Sequence, residues 1–343
     1  MKKLTLLALG LTLLVVVLGA YTRLTDAGLG CPDWPGCYGF WSVPMATEAI
    51  AAAEVRYPER PLEPAKAWAE MIHRYAATLL GLLLLVMALW HGYRHYAAWQ
   101  TSGSGWPANV ALTPYLLLLL VLFQGALGMW TVTLNLLPLV VMGHLLGGFT
   151  IAGLLFYWWT RQTPPQLHHA YDNRIRLLGG VAVMVVIGQV SLGGWTAANY
   201  ASLACTELPI CQGDWLAQWA PARAFDPISP PASSYEYGVL DYAARMTIHV
   251  SHRLGALITT VVLAIFWWQL RCRHIHFEAN MMAAILLLQL GLGVMNVVAS
   301  LPLWVAVSHN FVALLLLLAV LACNVRVWQG GWNVRKNAAV KFA

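Results

Sequence analysis

Charge is what this sequence has least of. Aspartate, glutamate, lysine and arginine make up 10% of its 343 residues, where a soluble globular domain carries about 25%. Hydrophobic residues make up 59%, and mean hydropathy is +0.64. That balance excludes an ordinary soluble enzyme and reads as an integral membrane protein. The bases are never gathered on one soluble face, so the net charge of +6 does not argue for nucleic acid as a partner. Seventeen tryptophans fit aromatic belts at the two membrane surfaces.

Long apolar runs are there in number. A helical span needs about 20 mostly apolar residues. About eight stretches qualify, at roughly 4–22, 70–92, 110–131, 138–160, 174–196, 243–270, 279–299 and 302–328. Helices are the plausible spanning structure for runs this long. Two polar connections are longer than the rest, roughly 23–69 and 197–242. Lys2, Lys3, Arg94, Arg161, Arg174, Arg176, Arg271, Arg273, Arg326, Arg335, Lys336 and Lys341 all fall on one side if the spans alternate. That side is cytoplasmic by the positive-inside rule. Among the acids, only Asp172 and Glu278 share it. Both termini are then cytoplasmic and the two long loops face outward.

The start, MKKLTLLALGLTLLVVVLGA, also has the make-up of a cleavable signal peptide. An internal repeat argues against cleavage. Gly19 to Gly39, GAYTRLTDAGLGCPDWPGCYG, aligns without a gap on Gly193 to Gly213, GGWTAANYASLACTELPICQG. The pairing matches Gly19 with Gly193, Thr22 with Thr196, Cys31 with Cys205, Pro35 with Pro209, Cys37 with Cys211 and Gly39 with Gly213. Span 1 is thus the counterpart of span 5, which is no signal peptide. HRYAATLLG at His73 answers HRLGALITT at His252, QGALGMW at Gln124 answers QLGLGVM at Gln289, and His144 answers His309. The expected fold is all-α, eight transmembrane helices as two pseudo-symmetric four-helix bundles. The halves would be residues 1–165 and 166–343, related by an axis along the membrane normal.

The chain has eleven histidines. His91, His95, His168, His169, His274 and His276 lie at the cytoplasmic boundary and read as solvated side chains. His73, His144, His252 and His309 lie near the outer ends of the even-numbered spans, two per half at similar depth. Neutral imidazole is a strong ligand for iron, copper and zinc. Two histidines facing each other across a four-helix core suit a six-coordinate heme. No third ligand is evident in either half, which disfavours zinc. The alternative is four hydrogen-bonded core histidines. The glycines of GHLLGGFTIAG suit either a flat macrocycle or close helix packing. Arg74 and Arg253 each follow a histidine, and suit either outward-facing propionates or snorkelling to the interface.

The halves differ beside one histidine. Three residues before His73 stands Glu70, and three before His252 stands His249. Residues i and i+3 share a helix face, so only the first half sets a carboxylate beside its imidazole pair. That suggests chemistry in one half and electron handling in the other. A helix-start carboxylate favoured by the dipole is the plainer reading of Glu70, and His249 has no assignable role. Cys31 and Cys37, with Cys205 and Cys211, have equal spacing in outward loops, where disulfides persist. One bridge within each pair is expected, either as a staple or as a redox-active pair. Cys272 and Cys323 read as free thiols.

TRLTDAGLGCPDWPGC, EMIHR, GHLLGG, SHRLGA and SHN together resemble the heme A synthase family of oxidase-assembly proteins, over nearly the whole chain. The resemblance implies conversion of heme O to heme A by oxidation of a ring methyl to a formyl group, in the inner membrane of a bacterium. It implies a resident heme b on His252 and His309 and a substrate heme between His73 and His144; Arg253 and Arg74 would then be the propionate partners of those two hemes. Glu70 would be the catalytic acid, taking up protons or stabilising a developing cation. Substrate would come laterally from lipid, with oxygen supplied by water. Heme O synthase as supplier, an electron acceptor and a homo-oligomeric state are left open. The rival readings are a b-type cytochrome moving electrons without heme modification, a thiol–disulfide oxidoreductase, and a heme carrier.

Overall fold

The computed structural model describes residues 1–102, 112–162 and 171–341. His168 and His169, and the expected boundary between the halves at 165/166, lie outside them. Ten helices run through the described residues: α1 Lys2–Leu24, α2 Thr47–Arg56, α3 Pro64–Ser102, α4 Thr113–Thr133, α5 Pro138–Arg161, α6 Asn173–Ala198, α7 Pro221–Ala224, α8 Tyr242–Arg271, α9 His276–Val298 and α10 Leu303–Lys341. Eight of them, all but α2 and α7, are long and apolar enough to cross a membrane. The protein is an all-α integral membrane protein.

The chain falls into two compact units, residues 1–136 with 143–162, and residues 137–142 with 163–343. In the first, α1 packs on α3 and α3 on α4. In the second, α6 packs on α8 and α10, and α9 on α8 and α10. Leu79, Leu82, Leu119, Leu122, Met184 and Leu257 are among the large apolar side chains left exposed, as lipid-facing positions should be.

Helix starts are set by proline and aspartate. Pro64 and Pro138 open α3 and α5, where a missing N–H costs nothing. Asp172 Oδ1 accepts from Ile175 N at 2.9 Å, and Asp241 Oδ1 from Ala244 N at 2.8 Å, capping α6 and α8. The α4–α5 and α9–α10 turns each carry two consecutive left-handed residues, Asn135–Leu136 and Ser300–Leu301. Hydroxyls inside the spans bond to carbonyls one turn back, as in Thr12 to Ala8 at 2.7 Å and Thr259 to Gly255 at 2.8 Å. No polar hydrogen is wasted on lipid by these residues.

Two differences from the sequence expectation concern length. The second span begins at Pro64 and continues to Ser102, beyond the apolar run of 70–92. Hydropathy marks the lipid-soluble part of a helix, while hydrogen bonding carries the helix on into water. The connection between α1 and α3 also holds its own helix, α2. Its Ala53 joins Cys31, Cys37, Tyr38, Val43, Ala67 and Met71 in a small buried cluster over the start of α3.

Candidate functional site

In the first unit, His73 on α3 and His144 on α5 face each other with ring centroids 6.3 Å apart and planes at 86°. In the second, His252 on α8 and His309 on α10 do the same at 6.5 Å and 81°. All four expected histidines are thus brought together in the expected pairs. Each lies on a glycine of a neighbouring helix. A Cβ on Gly19 would come within 2.9 Å of His73 Cε1, and one on Gly193 within 3.1 Å of His252 Cε1. A Cβ on Gly128 would lie 3.5 Å from His144 Cε1, and one on Gly293 3.3 Å from His309 Cε1. The same two contacts therefore recur at corresponding positions of the two units.

These pairs suit a heme. Two imidazoles ligating one iron from opposite sides, with metal–nitrogen bonds of about 2 Å, would have ring centroids about 6 Å apart. The backbones of Val15, Gln124 and Gln289 interact with His73, His144 and His309, the kind of contact that orients a ligating imidazole. Among the described residues, no group of three or more His, Cys, Asp or Glu side chains is gathered for a metal ion. The donor set is two imidazoles per unit, which would suit a porphyrin iron held by two histidines.

Glutamines sit beside the pairs. Gln289 Nε2 is 3.2 Å from His309 Nε2. Gln189 Nε2 is 3.0 Å from His252 Nδ1 and donates to the His252 carbonyl at 2.9 Å. Gln124, the counterpart of Gln289, packs over Gly147, where any Cβ would overlap its amide. The repeat singles out Gln124 and Gln289. Gln189 escapes it, because its counterpart is Val15 and the pair differs.

Glu70 is 4% exposed. Its Oε2 accepts from the Cys31 backbone N–H at 2.9 Å, and its Oε1 pairs with the Arg74 guanidinium. Arg74 Nη1 also donates to the carbonyls of Asp33 at 3.0 Å and Gly36 at 2.6 Å, with Pro35 at 3.3 Å. The guanidinium is thus tied to the loop closed by the Cys31–Cys37 disulfide. Arg253 does the same in the second unit. It donates to Cys205 at 2.9 Å, Glu207 at 2.6 Å and Ile210, all within or at the end of the loop closed by Cys205–Cys211. Both expected bridges are present, and Cys272 and Cys323 are free.

His249, which the sequence left without a role, is 5% exposed, and its Nδ1 lies 3.1 Å from the Ala201 carbonyl as donor. It anchors the second loop to α8, as Glu70 anchors the first loop to α3. Asp33 finishes the first loop by accepting from Tyr38 N and Gly39 N, each at 2.7 Å. Gly39 and Gly213 both have positive φ, +81° and +66°, which explains glycine at that repeat position.

Comparison with known proteins agrees with these features. A family model described as cytochrome oxidase assembly protein matches residues 2–321. The chain is 48% identical over 322 residues to a protein of Shewanella oneidensis named heme A synthase, covering 93% of this chain and 94% of that one. Proteins of the same name from Sphingopyxis alaskensis and Rickettsia canadensis are 25% and 24% identical. They cover 92% and 90% of this chain, and 89% and 92% of their own lengths. With a family model across both histidine pairs and a relative at this identity over almost the full length, the chain belongs to the cytochrome oxidase assembly protein family.

Proposed function

We propose that this protein is a heme A synthase, oxidising the ring methyl of heme O to the formyl group of heme A. The observation that carries the reading is the recurrence of one imidazole pair per unit, with a buried carboxylate beside only the first. His73 and His144 hold the substrate heme. His252 and His309 hold a heme b. When bound, that heme supplies a one-electron relay for the reducing equivalents taken from the substrate.

Turning a methyl and a water into a formyl group releases four electrons and four protons, through an alcohol, and the electrons leave by the relay to an external electron acceptor. Protons leaving the substrate carbon need an acceptor inside the site. Glu70, one helical turn from His73, is the carboxylate available. Arg74 and the Cys31 N–H hold its two oxygens in place, so the group is oriented before substrate arrives. At the outer end of each pair, Arg74 and Arg253 are the cations for the heme propionates. Arg253 Nε is buried and unpartnered, which leaves a donor for that purpose after the loop carbonyls are served. Heme O is apolar at its tail and comes from lipid. The positive-inside pattern supports a cytoplasmic side for both termini, with sites and disulfides towards the outside. Residues 1–165 would be the substrate half and 166–343 the heme b half.

The test is co-expression with a heme O source in a host lacking heme A, with chromatography of extracted pigments. Heme A or its alcohol precursor is the expected product. Unmodified heme alone would instead leave a b-type cytochrome.

A further inference from the structure

We propose that the groove between α6 and Trp328 of α10 seats one phospholipid with a negative headgroup. Its phosphate rests on Arg176 and an acyl chain runs along Gly180 and Met184. The site lies at the far end of the second unit from the His252–His309 pair and does not depend on how that pair is read.

The groove has a volume of about 760 Å³, within the usual range for ligand clefts of about 300–1,000 Å³. Apolar side chains of α6, among them Leu177, Val181 and Met184, line it, with Arg176 at its head and Trp328 as its wall. Leu177, Met184, Trp328 and Gly180 are all exposed. A Cβ on Gly180 would meet nothing within 4 Å. No protein neighbour requires a glycine there, and what it leaves is room. Gly179 beside it is the contrast, since any Cβ there would run into the Asn324 amide. From Arg176 to Val185, α6 rises about 14 Å. That matches the half-thickness of a bilayer's hydrocarbon, about 15 Å. A groove of that depth, beginning at an arginine and an interfacial tryptophan, spans a single leaflet.

Arg176 is held in place but not neutralised. Its guanidinium lies 5.4 Å from the Trp328 ring centroid, and its Nη1 is 3.4 Å from Asn173 Oδ1. Its Nε is buried and unpartnered. The sequence puts two acids at this end of the spans, Asp172 and Glu278, and both are engaged elsewhere. Asp172 Oδ2 pairs with Arg273 at 2.9 Å while its Oδ1 caps Ile175. Glu278 Oε1 pairs with Arg326 at 3.5 Å. Residues 163–170, which precede α6 outside the described residues, contain no acid. An arginine near a membrane surface ordinarily snorkels into water. This one is stacked on a tryptophan at the head of an apolar channel, with a donor open. A phosphate supplies the missing charge through charge-assisted hydrogen bonds, and the channel takes the chain attached to it. Basic pockets between helices are where anionic headgroups settle.

The experiment uses the full-length protein, purified in detergent and stripped of lipid. It is titrated with dioleoylphosphatidylglycerol or dioleoylphosphatidylcholine, and bound lipid is counted by native mass spectrometry. One phosphatidylglycerol should be retained in preference to phosphatidylcholine. Arg176→Gln should weaken phosphatidylglycerol about fivefold, the worth of one base against an anionic headgroup, and erase the preference. Gly180→Phe should block the chain and weaken both lipids. Arg174→Gln is the control for surface charge alone, because Arg174 is exposed and lines no part of the groove. Equal losses in Arg174→Gln and Arg176→Gln would overturn the proposal, as would wild-type binding in Gly180→Phe or no preference between the lipids in the wild type. Displacement of the lipid by inorganic phosphate alone would also overturn it, marking a bare anion site. Melting temperatures without lipid check the fold of each variant. Should Arg176→Gln not fold, Gly180→Phe and the two lipids on the wild type still decide.

Discussion

The backbone N–H of Cys31 donates to Glu70 Oε2 at 2.9 Å, so the first disulfide loop and the helix bearing His73 share one buried carboxylate. Glu70 holds the loop, and under the proposed function it has a second, separable duty, taking protons. Glu70→Gln keeps an acceptor for the Cys31 N–H and removes the charge. It should lower heme A yield about 10²–10⁴-fold, the usual worth of a positioned acid or base, with loop 25–63 protected from protease as before. Glu70→Ala strands Arg74 and the Cys31 N–H as well, at about 3–5 kcal/mol, and should expose the loop. Heme A made at the wild-type rate by Glu70→Gln would remove Glu70 from the chemistry and leave it a loop anchor.

Arg74 and Arg253 test the loops from the other side. Each guanidinium gathers several carbonyls of one disulfide ring, which a single ammonium cannot copy. Arg74→Lys and Arg253→Lys should each loosen their own loop by about 1–3 kcal/mol, read as faster hydrogen exchange at 31–37 or 205–211. If Arg253→Lys instead leaves exchange unchanged and speeds heme loss, propionate pairing is its main work.

The same clamps bear on the cysteines. A disulfide spanning a short loop contributes about 2 kcal/mol by constraining the unfolded chain, and the arginines hold the loops independently. Cys31→Ser with Cys37→Ser, and Cys205→Ser with Cys211→Ser, should lower loop stability by about that amount while Soret absorbance persists. Unaltered loop proteolysis together with lost turnover would make the bridges redox-active instead of structural.

Much of this was legible from one repeat. Identity at a constant offset marks positions where both units need the same contact, and His73, His144, His252 and His309 are such positions. So are Gly19 and Gly193, which lie under two of those rings. The repeat is blind where the units differ, which is why Gln189 beside His252 went unread. Arg74 and Arg253 had two readings in sequence because nothing local says that a loop six residues wide folds back over its helix. The disulfide, with Asp33 capping Tyr38 and Gly39, makes that return. Helix α2 was missed for a related reason: it buries only Ala53, too little to leave a periodic signal.

The glycine bed under His73 gives a prediction with a built-in control on one helix. A Cβ on Gly19 would approach His73 Cε1 to 2.9 Å, closer than side-chain carbons pack, whereas a Cβ on Gly10 meets nothing within 4 Å. Both residues lie inside α1, so alanine gains the same helix propensity at each, up to about 1 kcal/mol. Gly10→Ala should therefore leave pigment unchanged and keep or raise thermal stability. Gly19→Ala must push the imidazole off its line with His144, and should lower heme binding at the first pair with little change at His252 and His309. Gly193→Ala, at 3.1 Å from His252 Cε1, should do the reverse. Soret titration of each variant with heme separates the two sites. If Gly19→Ala and Gly10→Ala titrate alike, His73 is not held where a shared iron would need it.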